Sequence, residues 1–352
     1  MYIITMWKKT FGSFIKFISA NRYFGYFSAT CLVVLLLQGC SQSANEVQEV
    51  PHMEEKQVYV PGFNADSAYF FIDKQVSFGP RVPNTEAHRQ CGDYLVAQLK
   101  QYEAQVEEQN FEAEAFDGTV LHLRNIIGSY KPQQQKRILL AAHWDTRPFA
   151  DKDTVDTNQP ILGANDGASG VAVLLEVARL FSNDTMPEVG IDIIFFDGED
   201  YGEPEDSKAS IDEVGNRVWW CLGSQYWSEN KHKSNYSAYY GILLDMVGAE
   251  NARFYREGVS MNNAPSVVNR VWERAHQLGY ERYFVYDKGD EIVDDHIYVN
   301  YKANIPMIDI IQYDPATTFG TYHHTHADNM DIICKATLEA VGETLLHVLY
   351  HE

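Results

Sequence analysis

Three short apolar runs, each stopping at residues able to bind a metal or carry a proton, constrain this chain more than any other feature. Arg137 to Ala142 leads into His143-Trp144-Asp145, Ile191 to Phe196 into Asp197-Gly198-Glu199-Asp200, and Tyr239 to Leu244 into Asp245. Continuous apolar stretches of this length suit strands buried on both faces, as in a parallel sheet covered by helices. In open α/β sheets, ligands bind beyond the carboxyl ends of such strands. Two further clusters carry the same chemistry: Asp166, and the histidines of Thr321-Tyr322-His323-His324-Thr325-His326.

Taken singly, these residues have ordinary explanations. An Asp after a strand serves as a turn or cap residue, and His143 fits a satisfied, half-buried histidine. Glu199-Asp200 fits a solvated acidic turn, and the histidine tract a solvated loop. Five clusters with one placement point instead to a shared site. Carboxylate oxygen and imidazole nitrogen suit Zn²⁺, and an open catalytic site needs about three protein ligands. Adjacent residues at a strand end point in different directions, so one of Glu199 and Asp200 can face a metal and the other the reacting group. Like charges beside a cation also separate in proton affinity, leaving one carboxylate as ligand and the other as proton carrier.

Asp166 sits in Gly163-Ala164-Asn165-Asp166-Gly167-Ala168-Ser169-Gly170, directly before the helix-like stretch Val171 to Phe181. The glycines permit a tight strand-to-helix turn. The segment lacks both the G-x-G-x-x-G spacing and a terminal Gly-Lys-Ser/Thr, which argues against nucleotide phosphates. Similar helix-period stretches at Ala87 to Leu99, Ser266 to Leu278 and Thr337 to Tyr350 alternate with the apolar runs. That alternation argues for a sheet sandwiched between helices. The 352 residues contain no evident linker or internal repeat, and one α/β unit of this size buries an ample core.

The opening segment differs from the rest. Lys8, Lys9, Lys16 and Arg22 precede the apolar Leu32 to Leu37, with no acid before Cys40, the pattern of a secretion signal over residues 1–39. The apolar stretch is short against the roughly 20 residues a spanning helix needs. Leu37-Gln38-Gly39-Cys40 resembles a lipoprotein processing site, so Cys40 is the expected lipidated residue. Residues 40–60 read as a flexible tether and residues 61–352 as the folded domain. The expected location is the periplasm of a diderm bacterium, with the lipid in the inner or outer membrane.

Loss of those four bases takes the net charge from −21 to about −25, with 24 bases left against 49 acids. Such acidity argues against a nucleic-acid partner. Outside the export segment the cysteines are Cys91, Cys221 and Cys334, which allow one disulfide and contain no Cys-x-x-Cys metal motif.

Assembled, the clusters resemble the M28 zinc peptidase superfamily and, within it, the bacterial glutaminyl-peptide cyclotransferases related to animal enzymes, over about Pro61 to His351. The superfamily features are His143-x-Asp145, Asp166, Glu199-Asp200, Asp245 and His324. The cyclase-like features are Ala141 to Pro148, Phe195 to Asp200, Leu243 to Ala249 and Asp294-Asp295-His296-Ile297. The resemblance implies a single-domain, three-layer α/β/α sandwich around a central mixed, mostly parallel twisted sheet. It implies one zinc per chain held by Asp166, Asp200 and His324, with Glu199 as general acid/base and Asp245 and Asp294 as its hydrogen-bonding partners.

In the aminopeptidase relatives, residues matching His143 and Asp245 hold a second zinc, and His296 is a further candidate near that position or behind it. The cyclases usually carry Trp just before the metal histidine, where this chain has His323; Trp144, Trp220 and Trp227 are candidates for the aromatic pocket surface. The implied reaction converts the N-terminal Gln of peptides or proteins to pyroglutamate with release of ammonia, by a monomeric enzyme. A two-zinc aminopeptidase and a non-catalytic peptide-binding lipoprotein are the competing expectations.

Overall fold

In the computed structural model, which describes residues 58–204, 207–208, 210–211 and 217–352, the three apolar runs are strands in which every residue is buried. The expected signal segment, the lipid attachment at Cys40 and nearly all of the tether lie outside the described residues. The elements in chain order are α1 (Ala65–Val76), α2 (Glu86–Gln101), β1 (Gln105–Glu114), β2 (Val120–Tyr130), β3 (Arg137–His143), α3 (Ala168–Asn183), β4 (Gly190–Phe196) and α4 (Leu222–Glu229). After these come β5 (Tyr240–Asp245), β6 (Phe254–Arg256), α5 (Gly258–Asn263), α6 (Pro265–Gln277), β7 (Phe284–Lys288), α7 (Asp295–Tyr301), β8 (Met307–Ile311) and α8 (Lys335–Tyr350).

The main sheet has the order β1-β2-β4-β3-β5-β8. Strands β4, β3, β5 and β8 run parallel to one another, while β2 lies antiparallel to both β1 and β4. Alternation along the apolar strands assigns their two faces. Ile138, Leu140 and Ala142 of β3 join the core with Ile193 and Phe195 of β4 and the apolar side of α3. Leu139 and Ala141 join Ile194, Phe196, Trp227 of α4 and Val299 of α7 on the opposite face. A period of two is present, but burial of both faces hides it from a hydropathy reading. Helices α1, α3 and α8 pack together on one side, and α4 packs on α7 on the other. The fold is therefore the expected three-layer sandwich.

From β3 the chain passes through α3 to β4 on one side, then through α4 to β5 on the other side of β3. The carboxyl ends of β3, β4 and β5 thus stand together where the winding direction reverses, the usual position of a ligand crevice. The helices begin where local chemistry favours it. Asn64 accepts from Ser67 N–H to cap α1, Thr85 accepts from His88 N–H to cap α2, and α6 starts with Pro265. Cys91, Cys221 and Cys334 are all free thiols.

Candidate active site

Backbone hydrogen bonds to two buried acids set the positions of the site's side chains. Asp145, two residues past β3, accepts the Glu199 N–H at 3.1 Å with one oxygen and the Asp200 N–H at 3.2 Å with the other. This fixes the turn after β4, in which Gly198 has φ of +71°, a conformation open to glycine at little cost. Asp328 does the same for the loop before α3, accepting from Asn165 N–H at 2.7 Å and Asp166 N–H at 3.0 Å. Burial, with Asp166 nearby, pushes the Asp328 carboxyl up to about 8. The next residue, Gly167, packs so closely that a Cβ there would lie 2.4 Å from the His143 carbonyl oxygen.

The donors converge from five separate segments. His143 Nε2 lies 3.0 Å from Asp166 Oδ1 and 3.2 Å from Asp245 Oδ1. His324 Nε2 lies 3.8 Å from Asp166 Oδ2 and 3.3 Å from Asp200 Oδ1. Asp166 therefore stands between the pair His143/Asp245 and the pair Asp200/His324. Donors around a tetrahedral zinc with bonds of about 2.0 Å are roughly 3.3 Å apart, and the observed separations cluster around that spacing. Both carboxylate oxygens of Asp200 are buried; Oδ1 faces His324 and, at 3.6 Å, Arg147 Nη1, while Oδ2 has no hydrogen-bond partner among the described residues. Such acceptors are costly unless a cation or donor satisfies them, so the donor set fits zinc.

Glu199 is buried beside these donors. Burial, reinforced by the charges of Asp294 and Asp200 and opposed by His143, holds its carboxyl well above the ordinary range. Asp294 caps α7 by accepting from Asp295 N–H, and its carboxyl also faces the buried Asp309. One polar atom each of Glu199, Asp294 and Cys221 lies within 4.8 Å of the others. Burial and the charge of Asp166 push Asp245 up to about 7. The arrangement places proton-carrying carboxyls next to a cation site, as acid–base chemistry on a polarised carbonyl requires.

Asp166, Glu199, Asp245, Asp294 and His324 line the floor of a cavity of about 260 Å³ whose walls include Trp220, Ile292, Val293, Tyr313, Phe319 and His323. The His324 ring lies between those of His323 and Trp220, at centroid distances of 3.7 and 6.0 Å. His323 Nδ1 is 2.6 Å from Lys152 Nζ, and its Nε2 is 3.9 Å from Asp166 Oδ2. His323 and Trp220 thus reach the pocket.

Two of the expected pocket aromatics do not. Trp144 is fully buried and stacks on His88 at 4.3 Å, because the residue between His143 and Asp145 turns to the opposite side of the strand end. Trp227 belongs to the core beneath the sheet. His296 also lies apart from the His143 donor group, with Nε2 3.1 Å from Glu257 Oε2 and Nδ1 3.9 Å from Asp309 Oδ2. No local pattern pointed to Asp328, although it follows His324 by only four residues. Nor did any such pattern reveal that Asp145 braces Glu199 and Asp200, since that contact spans 54 and 55 residues.

Solved structures share this architecture. The glutaminyl cyclase of Bacteroides thetaiotaomicron, determined with N-acetylhistamine, is 53% identical with a TM-score of 0.80, the match covering 84% of this chain and 100% of that one. A Zn-dependent exopeptidase from Parabacteroides distasonis is 51% identical with a TM-score of 0.80, over 84% and 100% of the two chains. Among curated proteins, the glutaminyl-peptide cyclotransferase of Drosophila melanogaster is 26% identical over 280 residues, 74% of this chain and 73% of that protein. The model of peptidase family M28 matches residues 125–349, a span that contains every donor described above, and the chain belongs to that family.

Proposed function

We propose that this protein is a zinc-dependent glutaminyl-peptide cyclotransferase, converting the N-terminal Gln of peptides or proteins to pyroglutamate. Its similarity to glutaminyl cyclases of known structure and of animals supports that activity. In the site, the supporting observation is the pair of buried carboxyls, Glu199 and Asp294, grouped within 4.8 Å at the floor of the metal-donor cleft. The substrate α-amine attacks the γ-carboxamide carbon, the C–N bond to the amide nitrogen breaks, and ammonia leaves. Both reactants belong to the substrate, so proximity is partly present without the enzyme and other terms must supply the rate.

Asp166, Asp200 and His324 would hold one zinc, whose chemistry is Lewis-acid polarisation of the γ-carbonyl. Glu199 takes the proton from the attacking amine and delivers it to the leaving nitrogen, a role worth roughly 10² to 10⁴ in rate. Asp145 holds Glu199 and Asp200 through their backbones, so that the proton carrier and the metal ligand keep separate orientations. Trp220, Ile292 and Phe319 give the cavity an apolar wall against which the substrate can pack.

Glu199→Gln should lower ammonia release from a Gln-initiated peptide by roughly 10² to 10⁴, followed together with the mass loss of the product. Unchanged turnover removes Glu199 from this role. The grouping of His143, Asp166 and Asp245 favours a second reading, a two-zinc aminopeptidase. Metal analysis separates them: about one zinc per chain with pyroglutamate formed supports the cyclase, and about two with release of N-terminal residues supports the peptidase.

For the export segment, we propose lipidation at Cys40 and display in the periplasm, supported by the basic opening, the apolar run and Leu37-Gln38-Gly39-Cys40. Cys40→Ser should abolish labelling by a radioactive fatty acid and move the protein from the membrane to the soluble fraction. Retained labelling would place the lipid elsewhere.

A further inference from the structure

Cys221 stands at the entry to α4, as the residue preceding the helix, with φ of +57°. Residues with a Cβ seldom adopt this left-handed conformation, and one lacking the short polar side chain of Asn or Asp has no local compensation for it. Backbone strain retained beside a site calls for a functional explanation. The side chain offers one, because the fully buried thiol donates from Sγ to Glu199 Oε1 at 3.2 Å.

The backbone is fastened to the same turn. Cys221 N–H donates to the Glu199 carbonyl at 2.9 Å and Leu222 N–H to the Gly198 carbonyl at 3.0 Å. The start of α4 and the Glu199 turn therefore form one hydrogen-bonded unit. Burial holds the thiol well above its ordinary range, so it remains a donor instead of becoming a nucleophilic thiolate.

We infer that Cys221 is a positioning residue for the cyclisation, its thiol holding one oxygen of Glu199 so that the other is presented to the substrate amine. The inference rests on Glu199 acting as the proton carrier. An ordinary buried cysteine behaves as a small hydrophobe and would tolerate Ala better than Ser. A hydrogen-bonding cysteine has the opposite preference, because Ser keeps the donor and Ala removes it.

The test uses Cys221→Ala, Cys221→Ser, Glu199→Gln and the Cys221→Ala/Glu199→Gln double variant, each assayed on a Gln-initiated peptide with melting temperature and zinc content recorded. Cys221→Ala should lower kcat roughly tenfold, a modest share of what misplacing a reacting group can cost, with KM within about twofold. Cys221→Ser should recover most of the loss. In the Glu199→Gln background, Cys221→Ala should cause no further loss, since the two residues act as one unit.

Parental kcat in Cys221→Ala, a Ser variant no better than Ala, or an equal fold-loss in both backgrounds overturns the inference. If Cys221→Ala does not fold, Cys221→Ser alone decides: kcat within about threefold of the parent supports the role, and a larger loss overturns it. Undiminished turnover in Glu199→Gln removes the underlying assignment and the inference with it. A strongly impaired Glu199→Gln beside a fully active Cys221→Ala removes the inference alone.

Discussion

Glu257 is almost fully buried yet makes more hydrogen bonds than most surface acids. It accepts from the backbone N–H groups of Val259, Ser260 and Ile292, from the Ser260 hydroxyl, and pairs with His296. Burial disfavours its charged form, but the His296 and Ser260 hydrogen bonds outweigh that and bring the carboxyl down to about 2. A carboxyl with a lowered folded value stabilises the fold fully above its unfolded value near 4.5 and loses that contribution as pH falls toward 2. Urea unfolding should therefore show stability declining below about pH 4.5, with up to roughly 3 kcal/mol attributable to this group. Glu257→Gln should be less stable at pH 7 and show a flatter decline; an unchanged slope would place the acid sensitivity elsewhere. Nothing in the local sequence marks Glu257, because its partners Ile292 and His296 are 35 and 39 residues away. Asp328 escaped notice for the same reason, as did the bracing of Glu199 and Asp200 by Asp145, whereas His143-x-Asp145, Asp166, Glu199-Asp200, Asp245 and His324 stood out through their immediate neighbours.

At the scale of elements, the long helices and buried strands follow the local pattern closely. Val171 to Phe181, Ser266 to Leu278 and Thr337 to Tyr350 fall almost wholly within α3, α6 and α8, and the three apolar runs become β3, β4 and β5. The short elements β6, α5 and α7, of three, six and seven residues, contain too few positions to establish a period. Connections between elements are as demanding as the elements themselves. Any side chain at Gly167 would meet the His143 backbone oxygen at 2.4 Å and the His143 ring at 2.7 Å. Neither can withdraw without moving β3 or a candidate metal donor. Gly167→Ala should accordingly cost about 1–3 kcal/mol of stability, as overpacking of a well-filled site does. Chemical denaturation of the two proteins checks this, and an unaltered midpoint would show that the strand end and the α3 loop can separate freely.

At the scale of the molecule, a zinc held by Asp166, Asp200 and His324 would join segments that begin far apart, since the three span 158 positions. A ligand bound only by the folded state stabilises it by roughly 4 kcal/mol when present at a thousand times its dissociation constant. Chelation should thus lower the melting temperature and re-addition of zinc restore it. Far-UV circular dichroism at 25 °C should be unchanged, because the two cores flanking the sheet do not depend on the cation. Loss of secondary structure on chelation would instead make the metal a folding element. The amino-acid sequence by itself determined the sheet between helices, the strand ends that carry acids and histidine, and the donor types that suit zinc. Hydropathy, turn chemistry and ligand chemistry are properties of short stretches, which explains their legibility. Only the tertiary structure decided that Trp220 and His323 line the pocket while Trp144 and Trp227 enter the core, that His296 joins Glu257, and that Cys221 meets Glu199. Those outcomes depend on side-chain direction and on contacts between remote segments, and both are set when the layers pack.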